Sequence, residues 1–237
     1  MNNANVMERL PILILYPHNR CNCRCVMCDS WKDRTVKEIG ASDLERHAKD
    51  LEALGVRWVV LSGGEPLMHS DLYSLSAMLR KLNIRITALS AGLLLEGNAS
   101  LVVHNLDDMI LSLDGPQDTH DRIRGIRGAF DRLAAGVRAI RSLHPQFPMG
   151  ARCTVQRGNF AQLRETVKTA RKLNLHSVSF LAADVTSTAF NRPRGWSAPR
   201  QAKVALTAEE TNELENEIER LIAELPELGR LDRKKIA

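Results

Sequence analysis

A chain of 237 residues, 44% hydrophobic and 26% charged, is long enough for one large domain or two small ones and has a globular composition, which excludes a fibrous or disordered class. Only 4% of residues are aromatic, so a core must come mainly from Leu, Ile, Val and Ala, and the net charge of +5 is scattered rather than blocked. No aromatic–basic platform for nucleic acid is visible, and the longest early apolar run, seven residues from Leu10 to Tyr16, is too short to cross a bilayer, so neither nucleic acid nor membrane is an expected partner and a cytosolic setting with reduced thiols is expected.

Ile12 to Tyr16 reads as a first strand, followed at once by PHNRCNCRCVMCDSW (17–31), which holds four of the five cysteines. SDLERHAKDLEAL (42–54) is amphipathic, with Ser42 and Glu45 spaced as a capping box, Leu44, Ala48 and Leu51 on one face, and Gly55 as the stop. RWVVLS (57–62) reads as a second strand. The unit then repeats: helix 70–82 and strand 84–90, helix 99–106 and strand 108–114, helix 128–143 and strand 149–155, helix 160–173 and strand 176–182. Phe130, Leu133, Val137 and Ile140 keep helical spacing in the fourth of these helices. A last helix, 207–225, opens on Thr207 and Glu210 as a second capping box, and the basic tail GRLDRKKIA (229–237) reads as a frayed terminus.

Six strands alternating with helices predict a parallel α/β fold. Their nearly continuous apolar runs predict that both sheet faces are covered. Six units favour a (β/α)6 partial, TIM-like barrel, with an open doubly wound sheet as the alternative. In either, chemistry gathers at the C-terminal strand ends. The unusual segments fall there: the cysteines after the first strand, GGEP after the second, SAG after the third, DGPQ after the fourth, and a long loop (183–206) after the sixth.

Thiols crowded in a reducing compartment read as metal ligands or redox groups rather than disulfides. Cys21, Cys25 and Cys28 form C-x3-C-x2-C, with Cys23 inside. A compact loop at this spacing can wrap three thiolates around one inorganic cluster. Iron–sulfur cubanes usually take four cysteines, so three leave one iron open. A zinc knuckle or a chance group of buried thiols is the alternative, and Cys23 as a fourth ligand would close the site. Cys153, in a strand, reads as a buried inert thiol.

The cysteine spacing, with LSGGEP (61–66) and SLDGPQDTHDRIRG (112–125), resembles the radical S-adenosylmethionine (radical SAM) superfamily, and in particular the branch of molybdenum-cofactor-biosynthesis enzymes and SPASM-type peptide maturases. The resemblance covers almost the whole chain. It implies that Cys21, Cys25 and Cys28 hold a [4Fe–4S] cluster and that S-adenosylmethionine chelates the open iron. Reductive cleavage would then give methionine and a 5′-deoxyadenosyl radical that abstracts hydrogen from a small-molecule or peptide substrate. The electron would come from a reductase such as flavodoxin or ferredoxin. The cofactor supplies the hard step and the protein positions it; no side chain is singled out as catalytic in itself.

The same resemblance implies the cofactor contacts. Met27 stands where the family usually has an aromatic residue beside the adenine, and a polarizable thioether can pack on that ring. Gly63 and Gly64 would let backbone approach the methionine moiety. Pro66 would fix the turn, and Glu65 would orient it or add negative charge. Ser112 resembles a fourth-strand serine that contacts the ligand, and Ser90 and Arg152 lie on strands where similar polar contacts occur.

Several residues carry plainer readings. Asp114, Gly115 and Pro116 are a good turn signal without any ligand. His120 and Arg122 fall in the following loop, where exposure is the ordinary case and substrate contact the alternative. His18 is either near the site or solvent-facing. In the long loop, Arg192, Arg194, Arg200 and Trp196 would cover an anionic or aromatic substrate if it is a lid, and would be mobile surface otherwise. No cysteine follows Cys153, so the C-terminal extension of the branch is expected to be absent or truncated. That leaves residues 1–237 as a radical SAM core domain with 1–10 flexible. Only twenty residues precede Cys21, which tilts the expectation toward a small-molecule substrate. The rival reading is a non-catalytic iron–sulfur electron carrier or redox sensor, which assembles a cluster without binding S-adenosylmethionine. An RNA-binding module has little support.

Overall fold

A computed structural model describes residues 7–225; the basic tail and residues 1–6 of the segment expected to be flexible lie outside the described residues. At the other end of that segment, Leu10 donates its N–H to the Leu54 carbonyl at 2.8 Å. Six strands form one sheet: β1 (Ile12–Leu15), β2 (Trp58–Leu61), β3 (Arg85–Ser90), β4 (Asp108–Ser112), β5 (Met149–Val155) and β6 (Ser177–Ala182). Every neighbouring pair is parallel, and the spatial order is the chain order. A doubly wound sheet would reverse direction at a switch point; this one never does. It curls into a half-barrel whose free edges are β1 and β6.

Nine helices lie among the described residues: α1 (Ala41–Arg46), α2 (Ala48–Ala53), α3 (Leu72–Lys81), α4 (Ala99–Asn105), α5 (Gln117–Arg124), α6 (Ala129–Leu143), α7 (Leu163–Lys172), α8 (Ala198–Gln201) and α9 (Ala208–Glu224). Leu75, Leu79, Leu133, Ile140, Leu163 and Val167 from them pack on Val59, Leu61, Ile86, Ala88, Met109 and Leu111 of the strands in one continuous core. Apolar periodicity found α3, α4, α6, α7 and α9 because one stripe of each is buried; α8 lies inside the segment read as a long loop and buries no residue. The Thr207 capping box forms as read, with Glu210 N–H on Thr207 Oγ1 at 3.2 Å and Thr207 N–H on Glu210 Oε2 at 2.8 Å.

The Ser42–Glu45 capping box does not form. The helix begins at Ala41, with extended Gly40 as N-cap, and Asp43 takes the Gly40 N–H at 2.8 Å. What read as one helix is two, broken where His47 leaves helical geometry at φ −103°, ψ 8°. The expectation that both sheet faces are covered also fails. Helices cover the convex face, where Val59, Leu61, Ile86, Ala88, Met109 and Ala151 are buried. On the concave face Val60, Leu89, Ile110, Ser112, Arg152 and Ser179 are only half-buried, and Tyr16, just beyond β1, is 58% exposed. A half-barrel has no opposite wall to fill its hollow. At the N-terminal end of that face, Arg85 lies over the Trp58 ring at 5.1 Å and bonds Asp108, while Trp58 Nε1 donates to Thr87 Oγ1 at 2.8 Å.

Helix α5 stands where a loop was expected. Its only apolar residue is Ile123, so it carries no periodic signal. It starts after Pro116 and stops at Gly125, whose φ of +65° suits glycine. His120 is fully buried on it, not exposed. Its Nδ1 accepts the Asp114 N–H at 3.3 Å, and burial, aided by Arg124, lowers its pKa to about 4. The folded ring is neutral, so the unfolded chain, with an ordinary value of 6.5, holds the proton more tightly. The associated stability is whole above pH 6.5 and is lost as pH falls toward 4, by about 3 kcal/mol. Urea unfolding of wild type against His120→Gln across that range should show this excess slope in wild type alone.

Candidate functional site

The cluster loop leaves β1 under tight control. Pro17 accepts the Ile39 N–H at 2.8 Å, and His18 forms an antiparallel bridge with Glu38. His18 is buried, not solvent-facing. Its Nδ1 accepts the Arg20 N–H at 3.1 Å, so Nε2 carries the proton and donates to the Glu65 carbonyl at 2.5 Å. The GGEP turn closes on the same segment. Gly64 and Glu65 donate backbone N–H groups to the His18 and Arg20 carbonyls at 3.4 and 2.7 Å. Gly63 has φ +101°, and a Cβ on Gly64 would sit 1.8 Å from the Arg20 carbonyl oxygen. Gly64→Ala must therefore push the loop base from the turn. We expect a loss of about 3 kcal/mol in urea unfolding and a lower iron content after reconstitution.

Glu65 is buried. Its carboxylate accepts from Ser90 Oγ at 2.8 Å, Ala91 N–H at 2.8 Å and Leu67 N–H at 3.2 Å. Burial pushes its pKa up against these bonds. Glu65 and Ser90 thus tie the ends of β2 and β3 together, and Ser90 also accepts the Gly92 N–H at 3.0 Å. Pro66 opens the short turn of 3-10 helix that follows.

Cys21, Cys23, Cys25 and Cys28 gather with Met27, Ala91 and Leu93 in one packed cluster at the C-terminal rim of the sheet. All are free thiols, with Cys23 and Cys25 buried and Cys21 and Cys28 half-buried. Among the described residues, no three Cys, His, Asp or Glu side chains converge on one point as ligands of a single ion would. The Cys23 thiol instead packs with those of Cys21 and Cys25, and the interaction pushes its own pKa up, lowers that of Cys21, and with Arg124 brings Cys25 down to about 6. Burial pushes Cys28 up, although Ser30 N–H donates to its sulfur at 3.3 Å. Cys153 is buried in β5, and burial pushes its thiol up.

Helix α5 clamps the middle of the loop. Arg24 and Val26 N–H groups donate to the Arg124 and Ile123 carbonyls at 2.9 and 3.0 Å, so both neighbours of Cys25 are held. The buried Arg124 guanidinium donates from Nε to Asp114 Oδ2 at 2.7 Å and from Nη1 to Cys25 Sγ at 3.7 Å. Burial works against its charge, but Asp114 and the nearby thiols more than offset that and its pKa is raised. Asp114, read from sequence as a turn residue, also accepts the Thr154 N–H at 3.0 Å, and Asn159 donates to its carbonyl at 2.9 Å. The sequence reading missed the role of Arg124. The signal available was the Asp114 to Arg124 spacing, legible only once α5 is seen as a helix.

The loop 183–206 is folded down on the residue after Cys28. Asp29 accepts Trp196 Nε1–H at 2.8 Å and pairs with Arg200 and, at 2.9 Å, Lys32; these outweigh burial and hold its carboxyl below the usual range. Its backbone N–H reaches the Phe190 carbonyl at 3.2 Å. Arg192 is buried, donates to the Ala189 and Asp184 carbonyls at 2.8 Å, and like Arg200 stacks over the Trp196 ring. These side chains secure the loop to itself and to the cluster loop; Arg194 stays exposed.

Ser112, Arg152 and Ser179 align in one row across β4, β5 and β6 on the concave face. Arg152 donates to Ser179 Oγ at 3.3 Å and has no ion pair among the described residues, and burial lowers its pKa. Ser179 was not singled out by sequence, because only strand register brings it to Arg152. A cavity of about 500 Å³ opens between Tyr16, His18, Gly63, Gly64, Phe190 and Asn191. A second, apolar cavity of about 540 Å³ lies apart from the thiols, between β6, α7 and α9. Among the described residues no helix is long and apolar enough to cross a membrane.

The geometry agrees with what the chain resembles. The model of the radical SAM superfamily matches residues 15–151, more than half of the chain. An AdoMet-dependent heme synthase of Methanosarcina barkeri is 28% identical over 65% of this chain and 45% of its own length. The PqqA peptide cyclase of Gluconobacter oxydans is 31% identical over 65% of this chain and 44% of its own. The chain thus spans less than half the length of these relatives. Among solved structures, native anSMEcpe with bound AdoMet and the Cp18Cys peptide superposes with a TM-score of 0.75 at 18% identity, covering 93% of this chain and 62% of that one. By motif, strand order and family match together, the chain belongs to the radical SAM superfamily.

Proposed function

We propose that Cys21, Cys25 and Cys28 hold a [4Fe–4S] cluster with S-adenosylmethionine on its fourth iron, and that the protein is an enzyme acting on a small-molecule or peptide substrate. The observation that carries this reading is the gathering of these three thiols with Met27 at the C-terminal rim, against a loop base gripped by Gly63, Gly64 and Glu65. The donor set fits: a cubane takes each cysteine on a different iron, so its thiolates ring a space and need not meet at a point. Cys23 falls inside the C-x3-C-x2-C spacing and stands outside the proposed ligand set.

Bound there, the group supplies one-electron reductive cleavage of a sulfonium carbon–sulfur bond and hydrogen-atom abstraction from substrate. The chain's own residues bind and orient. Met27 would lie beside the adenine, and the Gly63 and Gly64 backbone with Pro66 would shape the methionine side. Glu65 and Ser90 hold that turn in place from behind. Ser112 and Arg152 face the hollow, where a guanidinium without an ion pair among the described residues suits the ligand's carboxylate. The open concave face beside Tyr16 leaves room for substrate, and residues 1–237 act as the core domain for this chemistry. Both kinds of substrate are in keeping with relatives named as a heme synthase and a peptide cyclase.

The test is anaerobic cluster reconstitution, reduction with dithionite and addition of S-adenosylmethionine. Formation of 5′-deoxyadenosine is expected. A stable cluster that never yields it means an electron carrier or redox sensor instead.

A further inference from the structure

A cleft of about 590 Å³ lies on the outer side of the cluster loop, lined by Val26, Arg122, Gln156, Arg200 and Lys203 among others. Its lining comes from the loop, α5, the β5–α7 connection and the α8 region, and none from the concave face of the sheet. Val26 immediately follows Cys25, is 43% exposed, and is pinned by its N–H to Ile123 at 3.0 Å. The cleft is cationic. Among the described residues Arg122 bonds only neutral groups, the Gly158 carbonyl at 3.0 Å and Thr119 Oγ1 at 3.3 Å. Lys203 is exposed and has no ion pair among the described residues, and only Arg200 is matched, by Asp29. Among the described residues no carboxylate is in the lining. Just beside it the loop presents Arg24, exposed and also without an ion pair among the described residues.

Unpaired charge of one sign around an exposed apolar residue favours a partner of opposite charge and speeds its encounter. The electron that the reading above requires must enter from outside, and Val26 puts this cleft one residue from a proposed cluster ligand. We infer that the cleft is the docking surface for an acidic one-electron carrier protein of flavodoxin or ferredoxin type. The inference rests on the proposed function, which leaves the donor's surface unassigned.

The experiment uses reconstituted protein and two reductants. Flavodoxin hydroquinone gives one electron to the oxidised cluster and becomes semiquinone; dithionite supplies the same electron without docking a protein surface. At low salt, Arg122→Glu/Lys203→Glu is expected to slow reduction by flavodoxin about tenfold or more and to flatten its salt dependence. Iron content and dithionite-driven 5′-deoxyadenosine formation should match wild type. Unchanged flavodoxin kinetics in this variant would overturn the inference. If the double variant does not load iron, Lys203→Glu alone, whose side chain holds no other group among the described residues, decides by the same criterion. If wild type itself yields no 5′-deoxyadenosine with dithionite, the proposed function fails and the docking inference with it.

Discussion

Replacing Cys21, Cys25 or Cys28 by Ala, one at a time, is expected to reduce 5′-deoxyadenosine formation to background, while Cys23→Ala retains the cluster. The four thiols lie in one packed group, so proximity does not separate ligand from bystander. Spacing does: Cys21, Cys25 and Cys28 make up the C-x3-C-x2-C set that carries the resemblance, and Cys23, 2% exposed, falls inside it. Losing its sulfur should cost about 1 to 2 kcal/mol of stability through lost packing, with about four irons per chain still bound. Iron and sulfide analysis with electron paramagnetic resonance of the reduced protein checks this. Loss of the cluster in Cys23→Ala, with a single Cys→Ala elsewhere tolerated, would reassign the ligands and remove the open position on which the proposed chemistry depends.

Arg124→Met is expected to be nearly as damaging, although Arg124 is not among the proposed cofactor contacts. It would strand the Asp114 carboxylate, which is fully buried, and breaking a buried pair in this way costs about 3 to 5 kcal/mol. Asp114→Asn would strand the guanidinium likewise. The double variant Asp114→Asn/Arg124→Met should cost clearly less than the two single losses added together, because neither charge is left alone. Arg124→Lys keeps the charge without the fork that reaches both Asp114 and Cys25, and should fall between. A merely structural role would leave the cluster's reduction potential unmoved in variants that still load iron. Removing a cation 3.7 Å from the Cys25 sulfur should instead make that potential more negative. Additive losses, or a potential unchanged in Arg124→Met, would show that the pair does not serve the thiol loop.

Much of this was legible in residues alone where a local rule governs them. The Thr207 capping box, the stop at Gly55 and the strands all depend on neighbours in sequence. The Ser42 box failed because Asp43 competes for the Gly40 N–H, a choice between adjacent caps that spacing cannot decide. Helix α5 was silent because its buried face carries Thr119, His120 and Arg124 beside a single apolar side chain, Ile123. The long loop read as lid or surface because its partner, Asp29, is distant in sequence from Trp196 and Arg200.

By itself the sequence determined the alternation of strands and helices, the C-x3-C-x2-C thiols and the Gly-Gly-Glu-Pro turn, since periodicity, ligand spacing and glycine content are properties of short stretches. Tertiary structure alone decided that the sheet curls without closing, that its hollow is open on one face, and that Cys23 and Cys25 are buried while Cys21 and Cys28 stay half-buried. It also decided that Asp114 and Arg124 stand behind Cys25. Those facts follow from where separate segments are brought by burial of the convex face, and a buried charge declares its partner only when the chain has folded around both.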